Sequence, residues 1–204
     1  MRLIEELNLD KNIKELIREK AIVKSYKKGE CILTQGMYKN ETAFIESGVV
    51  KVYKECGETP LLLYYLSNEL NNGIISFTNI FGNTPIEVSL VTQSESIVYW
   101  VPNYMIMKFV TLKLAISNIY TVHNSNLMKA FVKVTFLSLR ERIMDYLNEQ
   151  NRFSKGNRVT VSNSVIAQDL NVSREAVSRI MKSLEREGKI YRESRNVVIS
   201  ITNN

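Results

Sequence analysis

The chain has 204 residues, with 45% hydrophobic and 24% charged side chains and a formal net charge of +6. This composition is typical of a globular protein with one large or two small domains, and no apolar run approaches the roughly 20 residues that span a bilayer. Two cysteines, Cys31 and Cys56, and a single histidine, His123, are too few for a disulfide scaffold, an iron–sulfur cluster or a His-rich metal site. We therefore expect no membrane contact, no metal and no cofactor. The charged amino-terminal sequence lacks the apolar segment of a secretion signal, so we expect a cytoplasmic protein.

The first half of the chain predicts a short helical start followed by a β-rich region. Residues 3–20 intersperse apolar residues with charges, which favours one or two short helices. From residue 21 to residue 101, short runs of β-branched and aromatic residues alternate with turn residues, as in ETAFIE (41–46) and SIVYWV (96–101). Strands this short, separated by turns, predict a compact antiparallel barrel or sandwich.

Helical patterns replace the β pattern after Pro102. Residues 103–112 predict a short helix and residues 113–136 a longer one, whose apolar positions extend beyond a single face. A helix packed on a barrel needs one apolar stripe, so the surplus predicts a partner helix from a second subunit. A helix packed wholly within its own chain is the alternative. The positions assigned to dimerisation are Ile116, Ile119, Tyr120, His123, Leu127, Phe131 and Val134.

The last third of the chain predicts a small helical domain that ends in a β-hairpin. Ser138 and Glu141 fit the capping box that opens a helix. Two short helices, 162–170 and 173–187, follow with a short turn between them, and residues 189–201 form two β-capable runs around a turn. Two helices with this spacing and a following hairpin are typical of a winged helix-turn-helix. From Ser138 onward the chain carries 12 Lys and Arg against 8 Asp and Glu, and this excess of positive charge favours a nucleic-acid partner.

The second helix of this pair has two faces of different chemistry. Val177, Met181 and Leu184 recur at spacings of four and three and predict an apolar face toward the domain. The opposite side carries the residues that we assign to DNA binding, which are Ser173, Arg174, Glu175, Ser178, Arg179 and Lys182. Arginine can donate two hydrogen bonds to guanine, glutamate can accept one from cytosine, and a serine N-cap leaves the helix start open to a phosphate. A charged helix face is more often only solvated, but its place after a turn and before a hairpin favours DNA contact.

This stretch resembles the DNA-binding end of the Crp–Fnr superfamily, the cyclic-AMP receptor and fumarate-and-nitrate-reduction regulators of bacteria. The residues that carry the resemblance are Ile166-Ala167, Leu170, Ser173-Arg174-Glu175, Val177-Ser178-Arg179, Leu184 and Gly188. The resemblance implies that Glu175 and Arg179 are the main base readers, with Arg174 and Ser178 as the additional readers of the two branches. Asn171 stands where the family usually has glycine. Because asparagine tolerates the left-handed conformation, we expect the turn to be kept.

The resemblance extends over nearly the whole chain. Its further parts are Lys28-Gly29-Glu30, Gln35-Gly36, the hairpin from Gly48 to Tyr53, Val101-Pro102 and Phe136-Leu137. It implies an α+β protein with an antiparallel β-roll sensor domain of the cyclic-nucleotide-binding type over 1–112, a dimerisation helix over 113–137 and a winged helix-turn-helix over 138–204. It also implies a homodimer that places two recognition helices about 34 Å apart on palindromic double-stranded DNA. RNA polymerase would be a further partner if the protein is an activator.

The residues that hold cyclic nucleotides in the family are absent from this sequence. A Gly-Glu pair holds the ribose there and an arginine the phosphate, whereas Gly73 is followed here by Ile74-Ile75, and Pro85-Ile86 occupies the place of the arginine. No lysine or arginine occurs from residue 55 to residue 107, so a buried phosphate would lack a cationic partner. We therefore expect a different small-molecule effector, or none. The residues that could line an effector pocket are Tyr64, Tyr65, Gly73, Ile75 and Leu127. The alternative is that these residues belong to the core, as apolar strand residues more often do.

Two other functions stay open at this point. A cyclic-nucleotide-responsive regulator of the same fold would need the phosphate partner that the sequence lacks. An enzyme on a cupin-like barrel would need clustered His and carboxylate ligands, but His123 lies outside the β-rich region, so we expect no catalytic site. His123 is better explained as a satisfied interface histidine than as a haem ligand. The sequence leaves open a redox role for Cys31 or Cys56.

Overall fold

The computed structural model describes residues 4–5, 9–56, 59–70, 72–75, 84–154, 158–192 and 198–201. Their contacts form two compact units, one of residues Met1–Glu55 and Leu63–Met128 and the other of residues Cys56–Leu62 and Lys129–Asn204. The division falls inside a long helix, so the three-part domain organisation stays a prediction. Each unit has its own apolar core and is described by itself.

The first unit is built around two antiparallel sheets. Its strands are β1 (Ile22–Tyr26), β2 (Cys31–Leu33), β3 (Glu41–Ser47), β4 (Val50–Cys56), β5 (Thr59–Leu66), β6 (Ile74–Ile75), β7 (Ser89–Thr92) and β8 (Ser96–Pro102). One four-stranded sheet has the order β1-β8-β3-β6 and the other β2-β7-β4-β5. The β1–β8, β3–β8 and β4–β7 ladders are all antiparallel. The antiparallel β region predicted between residues 21 and 101 is therefore confirmed. Strands β2 and β6 were not predicted individually, because runs this short carry no readable alternation.

Both sheets contribute to the core of the first unit. Ala43 and Ile45 of β3 are fully buried in this core, as are Val98 and Trp100 of β8. They share it because alternate residues of a strand lie on the same face of a sheet. Phe44, between the two β3 residues, is buried instead in a separate apolar cluster. The pleat of β3 therefore serves two cores, one on each side of its sheet.

Helices form the other side of this second cluster. They are α1 (Lys11–Lys20), α2 (Asn103–Lys108) and α3 (Val110–Phe136). Ile17 of α1, Met105 of α2 and Ile116 of α3 are buried in the same cluster as Phe44. Phe109 adopts an extended conformation (φ −108°, ψ 118°) and separates α2 from α3. Helix α3 thus begins three residues before the start predicted at residue 113.

The turn between β3 and β4 requires glycine. Gly48 has a φ of +92°, which residues with a side chain rarely adopt. A Cβ atom at this position would also overlap the Ser96 Oγ and the backbone carbonyl oxygen of Glu95. This is the glycine at the start of the central hairpin in the family resemblance, and the structure gives it a steric reason.

The second unit contains helices and a three-stranded sheet beyond the end of α3. Its elements are α4 (Leu139–Phe153), β9 (Arg158–Thr160), α5 (Asn163–Leu170), α6 (Arg174–Arg186), β10 (Ile190–Arg192) and β11 (Val198–Ile201). The strand order is β10-β11-β9, with both ladders antiparallel. The predicted helix pair and the two hairpin strands are confirmed, and the turn between those strands lies outside the described residues. Strand β9 was not predicted, because it has only three residues.

Helices α4 and α5 begin at serine N-caps. The Ser138 Oγ accepts a hydrogen bond from the Glu141 N–H (3.3 Å), and the Glu141 carboxylate accepts one from the Ser138 N–H (2.8 Å). The predicted capping box is therefore confirmed. Ser162 caps α5 by accepting a hydrogen bond from the Val165 N–H (3.2 Å). These contacts satisfy N–H groups that the first turn of a helix leaves unpaired, and so they define where each helix starts.

Candidate nucleic-acid interface

One face of α6 lies in the core of the second unit. Val177, Met181 and Leu184 have no exposed surface, and Ile180 is partly buried beside them. They share this core with apolar residues of α4 and α5 such as Ile143. Burying a side chain of this size contributes about 1.5–3 kcal/mol relative to leaving it exposed. The apolar stripe predicted from the spacing is therefore the face that anchors α6.

The start of α6 is capped and exposed. The Ser173 Oγ accepts a hydrogen bond from the Ala176 N–H (3.2 Å), and Ser173 itself is exposed. The positive end of the helix dipole lies at this start and favours a nearby anion. The side chains that follow decide whether that anion is a DNA phosphate.

The face of α6 away from the core is polar. A shallow surface concavity of about 460 Å³ lies along it. The residues that line this concavity are Arg174, Glu175, Ser178, Arg179, Lys182 and Arg186. Ser178 is half-buried and the other five are exposed. Five of the six residues assigned to DNA binding thus share one surface, and the sixth, Ser173, caps the same helix; their contact with DNA stays a prediction.

Arg186 lines the concavity but was not predicted from the sequence. It continues the four-residue step that runs from Arg174 through Ser178 and Lys182, and residues four apart lie on the same side of a helix. The spacing therefore contained the signal. The DNA-binding assignment ended at Lys182, one helical turn before Arg186.

The turn between α5 and α6 depends on Asn171. This residue has a φ of 51° and a ψ of 56°, so it adopts the left-handed conformation expected from the sequence. The Val172 N–H donates a hydrogen bond to the Ala167 carbonyl oxygen (3.0 Å). Arg142 of α4 donates one to the Leu170 carbonyl oxygen (2.6 Å). These bonds satisfy the last carbonyl groups of α5 and hold the turn that orients α6.

Two polar contacts connect α4 to the helix pair. The Tyr146 hydroxyl donates a hydrogen bond to Asp169 Oδ2 (2.7 Å), where Asp169 is 1% exposed. Arg140 donates hydrogen bonds to both carboxylate oxygens of Glu187, one of them at 2.9 Å, and to the Ser183 Oγ (3.3 Å). The hydrogen bond from Arg140 holds the pKa of Glu187 below its ordinary value. The end of α6 is thus tied to the start of α4 by a two-pronged ion pair.

Solved structures of several bacterial proteins have the same fold. A Crp/Fnr-family protein from Eubacterium rectale has a TM-score of 0.82 and 22% identity, covering 96% of this chain and 92% of its own. The c-di-GMP-responsive global regulator CLP of Xanthomonas campestris has a TM-score of 0.78 and 17% identity, covering 96% of this chain and 100% of its own. A CRP-family transcriptional regulator from Thermus thermophilus has a TM-score of 0.74 and 19% identity, covering 88% of this chain and 92% of its own. At these identities the similarity establishes the fold.

The carboxyl-terminal region also matches a family by sequence. Residues 141–203 match the model of the Crp-like helix-turn-helix domain. Residues 141–203 therefore form a Crp-like helix-turn-helix domain, and the chain has the fold of these solved Crp/Fnr structures. No curated protein sequence matches the chain. Helix α6 lies within the matched helix-turn-helix domain.

The candidate effector residues divide between the core and the surface. Tyr64 and Ile75 belong to the core formed by the two sheets, and Tyr65 is 2% exposed. Gly73 is also buried. Leu127 is 42% exposed on α3. Four of the five residues are thus buried and one is exposed, and their role in effector binding stays a prediction.

The positions assigned to dimerisation have different environments. Leu127, Phe131 and Val134 are 42%, 60% and 47% exposed. Ile119 and Tyr120 are half-buried. These five residues stay candidates for a contact with a second subunit. All seven positions were assigned from their spacing along α3. These five are at least partly exposed, unlike Ile116 and His123.

Ile116 and His123, which were also assigned to dimerisation, are buried within the single chain. Ile116 has no exposed surface and His123 is 5% exposed. The His123 Nε2 lies 2.9 Å from the carbonyl oxygen of Ile74, and the His123 ring lies 5.8 Å from the ring of Tyr64, centroid to centroid. Burial lowers the pKa of His123, and the hydrogen bond to Ile74 partly opposes this effect. Residues Ile74 and Tyr64 of the same chain therefore lie against this part of α3.

The remaining reactive groups form no further site among the described residues. Cys31 is an exposed free thiol that donates a hydrogen bond to the Leu33 carbonyl oxygen (3.2 Å). The side chain of Cys56 and residues 76–83, part of the predicted effector region, lie outside the described residues. Within the described ranges, no group of three His, Cys, Asp or Glu side chains could hold a metal ion. No helix in those ranges is both long and apolar enough to span a bilayer.

Proposed function

We propose that this Crp–Fnr regulator reads a specific DNA sequence through the exposed face of α6. It does so as a homodimer on a palindromic site, and without control by a cyclic nucleotide. The observation that carries the proposal is the division of α6 into two faces. One face is buried in the core, whereas the other presents four cations and one carboxylate around a single concavity. A helix anchored in this way can hold hydrogen-bonding side chains at fixed positions in a groove.

Three side chains near the start of α6 have the chemistry to read bases. Arg174 and Arg179 can each donate two hydrogen bonds to guanine O6 and N7, and Glu175 can accept one from a cytosine amino group. The helix rises about 1.5 Å per residue, so these residues lie within about 7.5 Å of one another along its axis. That span fits inside a major groove about 12 Å wide. Ser178 and Lys182 lie on the same face and extend the contact along the DNA.

The exposed residues of α3 support a homodimer. Leu127, Phe131 and Val134 are spaced by four and three residues, which places them on one side of a helix. A row of large apolar side chains that water would otherwise contact is typical of an interface. The occupant that fits best is α3 of a second copy, because two equal apolar rows form a symmetric helix pair.

The chemistry of the first unit argues against cyclic-nucleotide binding. The chain carries no lysine or arginine from residue 55 to residue 107. Ile86, at the place where the family has its phosphate-binding pair, is 2% exposed in the sheet core. A phosphate at this position would be buried without a cation, which costs several kcal/mol. The regulator is therefore constitutive or responds to an effector of different chemistry.

Selection of bound sequences from a random duplex pool would test the DNA proposal. The expected result is a palindrome, followed by tight binding of that site in fluorescence anisotropy. Arg179→Ala should weaken binding to the selected site by about 1–3 kcal/mol and relax the base preference at one position. Arg179→Lys should lose the same preference while keeping the general attraction to DNA, since lysine keeps the charge but not the planar fork.

A control substitution separates base reading from general electrostatics. Lys24 is exposed on β1 of the first unit, and Lys24→Ala removes one positive charge away from α6. This variant should bind both the selected site and random duplex like the wild type. If Arg179→Ala weakened binding to both duplexes equally, Arg179 would be a phosphate contact and its assigned role would be wrong.

Sedimentation velocity would test the homodimer. Phe131→Glu places a charge in the exposed apolar row of α3 and should convert a dimer into a monomer. Lys129→Glu changes an exposed residue two positions away, on the other side of the helix, and should leave the dimer intact. A wild-type protein that sediments as a monomer at micromolar concentration would rule out this part of the proposal.

Calorimetry with cyclic AMP and cyclic GMP would test the effector argument. We expect no heat of binding from either nucleotide, because residues 55–107 offer no lysine or arginine for the phosphate. A micromolar dissociation constant for either compound would show that the charge argument is wrong.

A further inference from the structure

Arg186, in the last turn of α6, shares a concavity with the residues assigned to base reading. We infer that its guanidinium binds the DNA phosphate backbone at the edge of the groove, as one additional contact in each half-site. The inference rests on the proposed DNA-binding function and extends it. It assigns a role to Arg186, a cation that is not among the residues assigned to base reading.

Distance along the helix decides what Arg186 can reach. With a rise of about 1.5 Å per residue, Arg186 lies about 18 Å beyond Arg174 along the axis of α6. The major groove is about 12 Å wide. When the first two turns contact base edges, the last turn therefore lies level with the sugar-phosphate backbone. Arg179, about 7.5 Å from Arg174, stays within the groove.

The contacts of the second unit leave Arg186 available for a ligand. Arg140, Arg142 and Arg192 donate hydrogen bonds to a carboxylate, a backbone carbonyl and a side-chain amide of the protein. Arg186 is exposed, and no described residue forms a hydrogen bond or ion pair with it. Glu187, the acid next to it in sequence, is already engaged by Arg140. The concavity is lined by four cations and one carboxylate.

A local role for Arg186 is the alternative. A cation in the last turn of a helix stabilises the negative end of the helix dipole. The two roles predict different measurements. A dipole contact changes the unfolding of the second unit and leaves the salt dependence of DNA binding unchanged. A phosphate contact changes the salt dependence, because each neutralised phosphate releases condensed counterions.

The experiment measures DNA binding of full-length wild type, Arg186→Gln and Arg186→Lys as a function of salt. The probes are the selected palindrome and a random duplex, at concentrations from about 50 to about 200 mM salt. For a dimer, Arg186→Gln should lower the slope of log K against log salt by about two. The affinity ratio of wild type to variant should then shrink about twelvefold over this range. Arg186→Lys should keep most of the slope, because the charge remains.

Specificity is the second measurement. A phosphate contact carries no sequence information, so Arg186→Gln should leave the ratio of selected to random affinity unchanged. Lys24→Gln, the matched charge change on β1, should alter neither quantity. A wild-type slope in Arg186→Gln, or a lower specificity ratio, would overturn the inference while the proposed function stands. A wild type that prefers no sequence and shows no salt dependence would refute both.

Discussion

Truncation of Leu184 tests how α6 is held in the second unit. Leu184 has no exposed surface and packs in one core with Val177 and Met181. Leu184→Ala removes most of the side chain and leaves a cavity that the surrounding helices can fill only in part. The variant changes only the buried side of α6, so its direct effect is on folding and not on DNA contacts.

The size of the effect follows from the complete burial. Leucines buried to this degree cost about 2.7–5 kcal/mol when they are truncated to alanine. A unit of about 80 residues has a free energy of unfolding of about 4–12 kcal/mol. The substitution should therefore remove a large share of the stability of the second unit. Lys182→Ala, on the exposed side of the same helix, should change stability by less than about 0.5 kcal/mol.

Urea unfolding with two signals would measure this difference. Far-UV circular dichroism reports the helices, and fluorescence of Trp100, the single tryptophan, reports the first unit. Leu184→Ala should lower the helical midpoint by about 2–5 M urea, given a slope of about 1–1.5 kcal/mol per M. Lys182→Ala should keep the wild-type midpoint but weaken DNA binding. A wild-type midpoint for Leu184→Ala would refute the assignment of the inner face of α6 to the core.

Two further predictions concern Asn171 and His123. Asn171 adopts a left-handed conformation, so Asn171→Gly should keep wild-type stability and Asn171→Val should cost about 1–2 kcal/mol in thermal unfolding; equal stability of the two variants would contradict this reason. Burial lowers the pKa of His123 from its ordinary value of 6.5. Below about that pH the unfolded chain therefore binds more protons than the folded chain does. The urea midpoint measured by Trp100 fluorescence should therefore decrease when the pH is lowered from about 7.5 to about 5.5. His123→Gln should make this decrease smaller, and an equal decrease in both proteins would contradict the assignment.

Several local features were predictable because their causes lie within a few residues of sequence. The capping box of Ser138 and Glu141 joins groups one helical turn apart. The left-handed turn at Asn171 depends on the conformational tolerance of one residue. The buried stripe of α6, represented by Val177 and Leu184, follows from the helical period. In each case the residue interacts either with nearby backbone or with the core as a whole. The feature could therefore be predicted without knowing which distant residue it contacts.

The environments of His123 and Arg186 could not be predicted from spacing along the sequence. Spacing placed His123 on an apolar side of α3, but the groups that cover that side are Ile74 and Tyr64, about 50 residues earlier in the chain. Spacing likewise allowed Arg186 to share a face with Lys182, but only the surface of the folded unit brings both into one concavity. The strands β6 and β9 were missed for a related reason, since two or three residues form a strand only when a neighbour pairs with them.

The sequence alone determined the periodic elements of this protein, the caps and turn of its helix pair and the chemistry of the α6 side chains, because these depend on residues close together along the chain. Tertiary structure alone decided which side of each helix packs into a core, which arginines form hydrogen bonds within the protein and which stay exposed. Those outcomes depend on contacts between distant segments, such as that of Arg142 with the end of α5, which no local pattern encodes.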